Sequence, residues 1–390
     1  MGSSTTTPPL TRASVIEAHA LIKPHIHFTP VLTNTTLSTL ASTPQTPEAL
    51  KGTPYEGQTP AKPKVKLWFK CENFQRVGAF KARGAFHALA RLSEEEKSKG
   101  VVTHSSGNHA QALALAARTH NIPAHIVMPT ISTPSKIAGT RSYSANIHFS
   151  GSTSQEREAV VATVIADTGA TFVPPYNHPN IILGQGTLAL ELESQVAELS
   201  NGAVKTLDAV IAPCGGGGML SGVATALAPT GVQVYGAEPS FEGGDDARRG
   251  VAAGKRVETV KTLTIADGLR TPLGDVTWGV ISDPEKVKGL FAVTEEQIKA
   301  ALRLVLERMK VVVEPSAVVG LATVLYNEEF RRIVEKEGGE KGWDIGIVFS
   351  GGNTTVEAIG KLFAVDEKKA ERAEGVLGAQ GEKVAENVAG

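Results

Sequence analysis

The chain has 390 residues, of which 41% are hydrophobic and 20% are charged, and its formal net charge is −1. That balance excludes a general electrostatic attraction to nucleic acid or to an anionic membrane surface. No apolar run approaches the roughly 20 residues of a membrane-spanning helix, and we expect no secretory signal. With only two cysteines, Cys71 and Cys214, a disulfide framework and a multi-cysteine zinc site are excluded, and a reducing, cytoplasmic compartment is the simplest expectation.

Three segments lack the apolar periodicity of helices and strands. Residues 1–9 are a polar tail that begins with a myristoylation-like pattern, Met1-Gly2 with Thr6. Because no second membrane signal accompanies it, we interpret this segment as a disordered tail. Residues 41–64 are rich in Pro, Thr and Gly and predict a surface insertion or flexible loop. Residues 366–390 are charged and rich in Ala and Gly, and we expect partial disorder there.

Short β-branched runs alternate with Ala-rich helical patterns through the rest of the chain. Strands are predicted over residues 101–103, 124–128, 146–149, 171–173, 208–213, 233–237 and 343–350, and helices over residues 14–23, 110–120, 156–168, 219–227 and 295–310. Thr294 and Gln297 form a capping box at the start of the last helix. Strands that alternate with helices predict parallel sheets with covering helices, an α/β fold.

A run of four glycines, Gly215 to Gly218, lies between a predicted strand and a predicted helix that begins at Met219. Ligands of open α/β sheets bind beyond the carboxyl ends of strands. A bare backbone at this position presents N–H groups to an anion, and the helix N-terminus adds positive potential. The loop therefore predicts a phosphate site. It matches neither the P-loop nor the dinucleotide signature, which indicates a phosphate of something other than ATP or NAD.

Three further segments carry weaker signals. Ser105-Ser106-Gly107-Asn108-His109 follows a strand, and its N–H groups and hydroxyls suit a small carboxylate. His109 is either a general base or a helix-capping residue. Ser350-Gly351-Gly352-Asn353 also follows a strand, but it is common turn chemistry as well. Lys81 lies between small and apolar residues with Arg83 nearby, so it is either a reactive desolvated amine or an ordinary surface lysine.

Together and in this order, these motifs resemble the serine racemase and serine/threonine dehydratase family of fold type II pyridoxal-phosphate enzymes. The resemblance runs from about Ser14 to Leu362. It implies two open, mainly parallel sheets covered by helices, as in the β-subunit of tryptophan synthase. It also implies a large cofactor-binding domain over residues 1–99 and 178–390, and a small mobile domain over residues 100–177.

The resemblance assigns roles to individual residues. Lys81 would hold the aldehyde of pyridoxal 5′-phosphate and move the α-proton on one face. The other residues implied to bind the cofactor are Phe80 on the pyridine ring, Asn108 at the ring 3′-oxygen, Gly215, Gly216, Gly217, Gly218 and Met219 around the phosphate, and Ser350 at the pyridine nitrogen. The residues implied to bind the substrate are Ser105, Asn108, His109, Arg157 and Asp267.

Two details favour the racemase branch of the family. Typical threonine dehydratases have alanine where this chain has Ser106, which resembles the racemase's acid/base on the opposite face of the substrate. Glu238, Gly244 and Asp246 resemble that branch's divalent-cation site, and their oxygen donors suit Mg²⁺ or Ca²⁺. The spacing is about two residues longer than usual, with the extra residues around 241–243. An acidic surface turn is the alternative interpretation.

The expected activity is therefore racemisation of serine with β-elimination from L-serine and L-threonine. An ammonia-lyase for threo-3-hydroxyaspartate, serine or threonine, without significant racemisation, is the alternative. A β-replacement enzyme is less compatible with His109 after the Ser-Gly-Asn turn. A catalytically inactive amino-acid-binding homologue is the non-enzymatic alternative, which the presence of Lys81 disfavours. The family implies a homodimer with a small amino-acid substrate, and it leaves a nucleotide effector open.

Overall fold

The computed structural model describes residues 7–132 and 134–364. The predicted tail over residues 366–390 and the N-terminal acylation-like pattern lie outside the described residues. In the described part of the chain, no helix combines the length and the apolar character needed to cross a membrane.

The described strands form two sheets. The strands are β1 (Val31–Thr33), β2 (Val65–Cys71), β3 (Val101–His104), β4 (Ala124–Pro129), β5 (Asn146–Ser150), β6 (Thr171–Phe172), β7 (Ala209–Pro213), β8 (Gln233–Pro239), β9 (Gly289–Val293) and β10 (Trp343–Phe349). One sheet has six strands in the order β1-β2-β10-β7-β8-β9, and the other has four in the order β5-β4-β3-β6. Only β1 runs antiparallel to its neighbour among these strands. The predicted fold class is confirmed.

Helices alternate with the strands along the chain. They are α1 (Arg12–Ile22), α2 (Thr35–Ser42), α3 (Lys81–Ala90), α4 (Glu94–Lys99), α5 (Asn108–Thr119), α6 (Pro134–Arg141), α7 (Ser154–Thr168), α8 (Pro179–Leu199), α9 (Gly218–Leu227), α10 (Asp246–Ala253), α11 (Asp275–Ile281), α12 (Glu295–Leu304), α13 (Val319–Tyr326), α14 (Glu328–Gly338) and α15 (Val356–Phe363). The capping box of Thr294 and Gln297 is confirmed, but the α-helix that it starts ends at Leu304 and continues as a π-helical turn over Val305–Met309. Helix α15 belongs to a second compact unit that begins at Thr354.

The central strands of the six-stranded sheet are apolar because they are buried. All five residues of β7 are buried, and so are six of the seven residues of β10. Parallel sheets are usually buried on both faces, which is why their strands read as continuous apolar runs instead of alternating ones. The same pattern brings the carboxyl ends of β2, β7 and β10 to one edge of the six-stranded sheet, where the glycine-rich turns follow.

The segment over residues 41–64 is held by hydrogen bonds to α14, which does not fit a flexible loop. The Arg331 guanidinium of α14 donates to the backbone carbonyls of Ala41, Thr43 and Ala61. The Glu328 carboxylate accepts the backbone N–H of Ala61 at 2.7 Å. These bonds come from a helix almost 270 residues further along the chain, so local composition gave no sign of them.

Four buried charges join β2, α3 and α8. The Arg83 guanidinium donates to both oxygens of Glu72, at 2.7 and 2.8 Å, and to both oxygens of Glu191, also at 2.7 and 2.8 Å. The Lys70 ammonium donates to Glu191 at 2.7 Å and to Gln195 at 2.9 Å. Two cations face two anions, and each of the four charged side chains is at most 1% exposed.

The pKa shifts of this charge cluster follow from the pairing. Burial alone would lower the pKa of Arg83, but the two carboxylates overcome that effect and raise it. Burial would likewise raise the pKa of Glu191, but hydrogen bonds from His19 and Arg83 and the charge of Lys70 hold it well below its usual range. Arg83 and Glu191 are therefore charged at neutral pH, and each depends on its partners for compensation.

Removing one charge from this cluster should destabilise the protein strongly. We expect Glu191→Gln to lower the free energy of unfolding by about 3 to 5 kcal/mol, because Arg83 and Lys70 then share a single buried anion. Glu193→Gln is the matched control on the same helix. Its carboxylate pairs with Arg12 at a partly exposed site, so we expect a loss of about 1 kcal/mol or less. Denaturant unfolding measures both, and equal effects of the two substitutions would contradict the assignment.

Candidate active site

Backbone hydrogen bonds join the segment before α3 to the turn after β10. Phe80 N–H donates to the Ser350 carbonyl at 3.0 Å, and Gly352 N–H donates to the Gly78 carbonyl at 2.9 Å. An isolated β-bridge pairs Ala79 with Gly351. These contacts place Lys81, the first residue of α3, directly beside the Ser-Gly-Gly-Asn turn.

Lys81 has the properties of a reactive amine. Its Nζ donates to the Pro175 carbonyl at 2.6 Å and lies 5.0 Å from the centroid of the Phe80 ring. Burial lowers the pKa of the Lys81 amine to about 8. No carboxylate pairs with this nitrogen among the described residues, so an appreciable fraction of the amine is neutral near physiological pH. Of the two interpretations that the sequence left open, the lowered pKa favours the reactive amine.

The glycine run forms a buried concave backbone at the start of α9. Gly217 has φ +82°, a left-handed conformation that favours glycine, and Gly216, Gly217 and Gly218 are buried. Among the described residues, the N–H groups of Gly215 to Gly218 donate to no protein acceptor. Buried N–H groups almost always have a partner. Four consecutive unpaired ones at a helix N-terminus therefore indicate an anion site.

Two side chains that the sequence did not indicate lie against this loop. A Cβ added to Gly216 would fall 2.5 Å from the Tyr176 ring, and one added to Gly218 would fall 2.7 Å from Oε1 of Gln185. Gln185 is fully buried, and neither polar atom of its amide has a partner in the described protein. Tyr176 lies just before α8 and Gln185 lies within that helix, so both are separated from the loop in sequence and no local pattern marked them.

A hydrogen-bonded relay fixes the Asn108 amide. The Asn353 amide donates to Asn108 Oδ1 at 2.8 Å and to the Val77 carbonyl at 2.7 Å. The Asn108 amide in turn donates to the Glu314 carboxylate at 3.1 Å. Donors and acceptors alternate along the relay, so the orientation of the Asn108 amide is determined. Val77 has φ +56°, which is strained for a β-branched residue.

Glu314 is the most informative residue that the sequence analysis missed. It is 5% exposed, and burial together with the negative charge of Asp267 raises the pKa of its carboxyl to about 7. A Cβ added to Gly351 would fall 3.1 Å from its Oε1, so the carboxylate lies against the turn after β10. One feature of the sequence could have indicated Glu314. It directly follows the apolar run at residues 311–313, just as the glycine-rich turns directly follow apolar strands.

The turn after β3 leaves its two serines partly exposed and buries His109. Ser105 and Ser106 are partly exposed, and the Gly107 N–H donates to Ser105 Oγ at 3.3 Å. His109 is buried, its Nε2 lies 3.1 Å from the Val173 carbonyl, and burial and the charge of Lys81 lower the pKa of its imidazole to about 3. The ring is therefore neutral and neither caps α5 nor faces solvent as a general base.

The two remaining candidate substrate residues lie on different elements. Asp267 pairs with Lys136 of α6, with 3.0 Å between Oδ2 and Nζ, and it acts electrostatically on Glu314. Arg157 lies in the first turn of α7, where its guanidinium donates to the Ser152 carbonyl at 2.8 Å. Burial is the main cause that lowers the pKa of His104, and the positive charge of Arg157 lowers it further. Asp267 thus belongs to the same cluster as Asn108 and Glu314.

The candidate cation residues meet at the end of β8. Glu238 and Asp246 are both buried, and the Glu238 carboxylate accepts the backbone N–H groups of Ala247 and Arg248 at 3.0 and 2.8 Å. Burial and the charge of Asp246 raise the pKa of Glu238, and burial raises that of Asp246 to about 7. The surface-turn interpretation is therefore wrong for these two side chains.

The extra residues of this segment form a tight turn over Phe241–Gly243, where Glu242 has φ +49° and Gly243 has φ +74°. The turn leads back to Gly244 without separating it from the end of β8, because a Cβ added there would lie 3.0 Å from the Pro239 carbonyl. In the described part of the chain no group of three or more His, Cys, Asp or Glu has the arrangement of a metal site.

Comparison with known proteins identifies the class. The family described as pyridoxal-phosphate dependent enzyme matches residues 48–351, and the chain belongs to it. The chain is 40% identical to a serine racemase of Arabidopsis thaliana over 353 residues, which cover 90% of this chain and 95% of that protein. It is 38% identical to the L-threo-3-hydroxyaspartate ammonia-lyase of Saccharomyces cerevisiae, over 92% of this chain and 97% of that protein. The maize serine racemase structure superposes with a TM-score of 0.78 at 38% identity, covering 93% and 99% of the two chains.

The site fits pyridoxal phosphate on its own geometry. The unpaired N–H groups of the glycine run suit a phosphate, and the unpaired amide of Gln185 adds polar groups beside it. The Lys81 amine, with its lowered pKa, suits an aldehyde. The chain is therefore a pyridoxal-phosphate enzyme, as the sequence predicted, and not a non-catalytic binding protein.

The close contact of Gly216 with Tyr176 gives a test of the phosphate loop. We expect Gly216→Ala to weaken binding of pyridoxal phosphate at least tenfold, because the added methyl group would overlap the Tyr176 ring and displace the loop. Gly279→Ala is the control: it lies in α11 beside this region, has ordinary backbone angles and meets no atom within 4 Å. Titration of the cofactor-free proteins, followed by visible absorbance, measures both affinities. Unchanged affinity in Gly216→Ala would show that the loop does not hold the phosphate.

Proposed function

We propose that the chain is a serine racemase that also eliminates the β-hydroxyl of L-serine and L-threonine. The proposal is supported by the Lys81 amine, with a pKa of about 8, and by the presence of a serine, Ser106, in the turn before Asn108. Racemisation needs an acid/base group on each face of the α-carbon. Similarity to serine racemases over most of the chain supports the same activity.

When bound, pyridoxal phosphate would supply an electron sink that makes the α-proton of an amino acid acidic. Lys81 would hold the cofactor aldehyde before substrate binds and then hold the α-proton at Nζ. A pKa of about 8 suits this exchange, because both protonation states of the amine are populated near neutral pH. Phe80, beside the lysine, would pack on the pyridine ring.

The residues around Lys81 would orient the cofactor. The glycine run and Met219 would hold its phosphate, and Asn108 would donate to the ring 3′-oxygen. Because Glu314 and Asn353 determine the orientation of the Asn108 amide, that donor is preorganised. Ser350 would face the pyridine nitrogen. A hydroxyl there leaves the nitrogen largely unprotonated, which favours elimination and modest racemisation over more extensive carbanion chemistry.

The substrate would bind between the turn after β3 and Asp267. Ser105, Asn108 and the backbone N–H of His109 would bind its carboxylate, since the His109 ring is buried against Val173. Asp267 would lie near the substrate hydroxyl, and Arg157 would close onto the substrate. Ser106 would protonate the α-carbon on the face opposite Lys81. Loss of the hydroxyl instead would give an enamine, and then a keto acid and ammonia.

An ammonia-lyase without significant racemisation is the second candidate, acting on threo-3-hydroxyaspartate, serine or threonine. Similarity to the yeast L-threo-3-hydroxyaspartate ammonia-lyase favours it, at nearly the same identity as the racemases. That reaction needs the Lys81 face alone. Formation of D-serine by the purified protein is therefore the measurement that separates the two candidates.

We also propose that Glu238, Asp246 and the Gly244 carbonyl hold Mg²⁺ or Ca²⁺. Two buried carboxylates with raised pKa values lie together there, and hard oxygen donors of this kind suit those ions. Water would complete the coordination. A small mobile domain over residues 100–177, a homodimer, a nucleotide effector and a cytoplasmic location stay predictions from the resemblance.

Ser106→Ala should separate the two activities. We expect racemisation, and elimination from D-serine, to fall at least about 100-fold, because one face of the α-carbon loses its acid/base. Elimination from L-serine should persist, since it uses Lys81. A single reaction mixture reports both D-serine and pyruvate.

Lys81→Ala is the control and should abolish both products. Equal loss of the two activities in Ser106→Ala would mean that Ser106 only positions the substrate, and persistent racemisation would mean that another group serves the far face. If the wild-type protein makes pyruvate but no D-amino acid, the ammonia-lyase is the correct function.

Divalent cations should stabilise the protein through Glu238 and Asp246. We expect Mg²⁺ or Ca²⁺ to raise the melting temperature, because an ion that binds only the folded state favours it by mass action. Asp246→Asn should remove the effect. Asp245→Asn, which changes the neighbouring carboxylate that pairs with Arg248 and Arg249, should retain it. A melting temperature that is insensitive to both chelator and added cation in the wild type would refute the site.

A further inference from the structure

Two histidines on neighbouring strands meet nitrogen to nitrogen, away from the candidate active site. Nδ1 of His125 on β4 lies 3.0 Å from Nε2 of His148 on β5, and the ring centroids are 5.2 Å apart. The pairing register places His125 opposite Asn146 and His148 opposite Val127. The two rings therefore reach diagonally across the strand pair on one face of the sheet.

That face is the one covered by α7. Val127, the register partner of His148, packs in a cluster with Val161 and Val164 of that helix. The two imidazoles are only partly buried, so solvent and small ions reach them. Within the described residues, the other nitrogen of each ring has no hydrogen-bond partner, so either tautomer is available to each ring.

We propose that His125 and His148 form a two-histidine binding site for a divalent transition metal, with Cu²⁺ the tightest ligand and Zn²⁺ and Ni²⁺ weaker ones. Two imidazole nitrogens at about 2.0–2.1 Å from one ion, at an angle of about 90–110°, lie roughly 2.9–3.4 Å apart. The observed separation of 3.0 Å falls within that range. Imidazole suits these metals, and Cu²⁺ binds nitrogen ligands most tightly among them.

Binding requires a change of tautomer and not the loss of a proton. In the neutral pair, one facing nitrogen donates its N–H to the lone pair of the other. Moving that proton to the outer nitrogen of the same ring leaves two lone pairs that face each other. The ion then lies to one side of the line that joins the two nitrogens, about 2.0–2.1 Å from each, and water fills its other positions. No group of three or more His, Cys, Asp or Glu is arranged for a metal in the described part of the chain, so these positions remain exchangeable.

The site would bridge β4 and β5. Strand β5 is an edge strand of the four-stranded sheet and has one strand neighbour. A metal bridge between its His148 and His125 of β4 adds a second kind of bond between the two strands, so a bound ion should stabilise this part of the fold. The proposed site is distinct from the oxygen-donor site at Glu238 and Asp246 and independent of the catalytic assignment.

The test is a titration of the holoenzyme with CuCl₂ in a non-coordinating buffer, without amino acids, by calorimetry and electron paramagnetic resonance. The wild type should bind one tight equivalent of Cu²⁺ with nitrogen hyperfine couplings from two imidazoles. His125→Asn and His148→Asn should each weaken that equivalent at least tenfold. His27→Asn, which removes an exposed histidine that contacts the Phe74 carbonyl, should leave it unchanged.

Zn²⁺ supplies a second measurement that does not depend on copper spectroscopy. It should raise the melting temperature of the wild type and of His27→Asn, and it should not raise that of His125→Asn or His148→Asn. The metal-free variants should melt close to the wild type, which separates loss of the site from loss of the fold. Identical Cu²⁺ isotherms in the wild type and His148→Asn, or an equal loss in His27→Asn, would overturn the proposal.

Discussion

The buried contact of Arg83 with Glu72 and Glu191 is the constraint on which the site depends. It ties the end of β2 to α3 and α8, and Lys81 begins α3 only two residues before Arg83. In a low-dielectric interior such charges are tolerated only when every partner is in place. The cluster therefore requires one relative position of the three elements, and with it one position for the start of α3.

The candidate catalytic residues lie around the start of α3, which this charge cluster fixes. Lys81 carries no paired anion among the described residues, whereas Arg83 pairs with two carboxylates, so two cations only two residues apart have opposite pKa shifts. The relay through Asn353, Asn108 and Glu314 connects the lysine segment to the turn after β3. The buried ion pairs of Arg83 fix the start of α3, and the hydrogen bonds of Asn353 and Asn108 orient their amide groups. Together they give the preorganisation that enzymes use to position reacting groups.

The sequence predicted most of this arrangement where the signal is local. A glycine run after an apolar strand has a direct physical meaning, and the structure confirms the strands and helices on either side of it. Glu314 and Gln185 escaped because the residues that they lie against are distant in the sequence: 206 residues separate Glu314 from Asn108, and Gln185 lies against Gly218. The burial of Lys70 could not be predicted from local sequence for the same reason. Its ammonium group can be buried within β2 only because Glu191, on α8, pairs with it.

The attachment of the insertion over residues 41–64 has an evolutionary consequence. Helix α14 and its flank hold it mainly through backbone groups: Arg331 and Arg332 bind carbonyls, and Glu328 and Glu335 bind N–H groups. A backbone carbonyl is present whatever the side chain, so most positions of the insertion are free to drift in sequence as long as its path is kept, with the buried Leu50 an exception. The constraint falls on α14 instead. Among natural variants of this protein, we therefore expect the sequence of residues 41–64 to vary. The acidic and basic residues of α14 that bind this segment should stay unchanged.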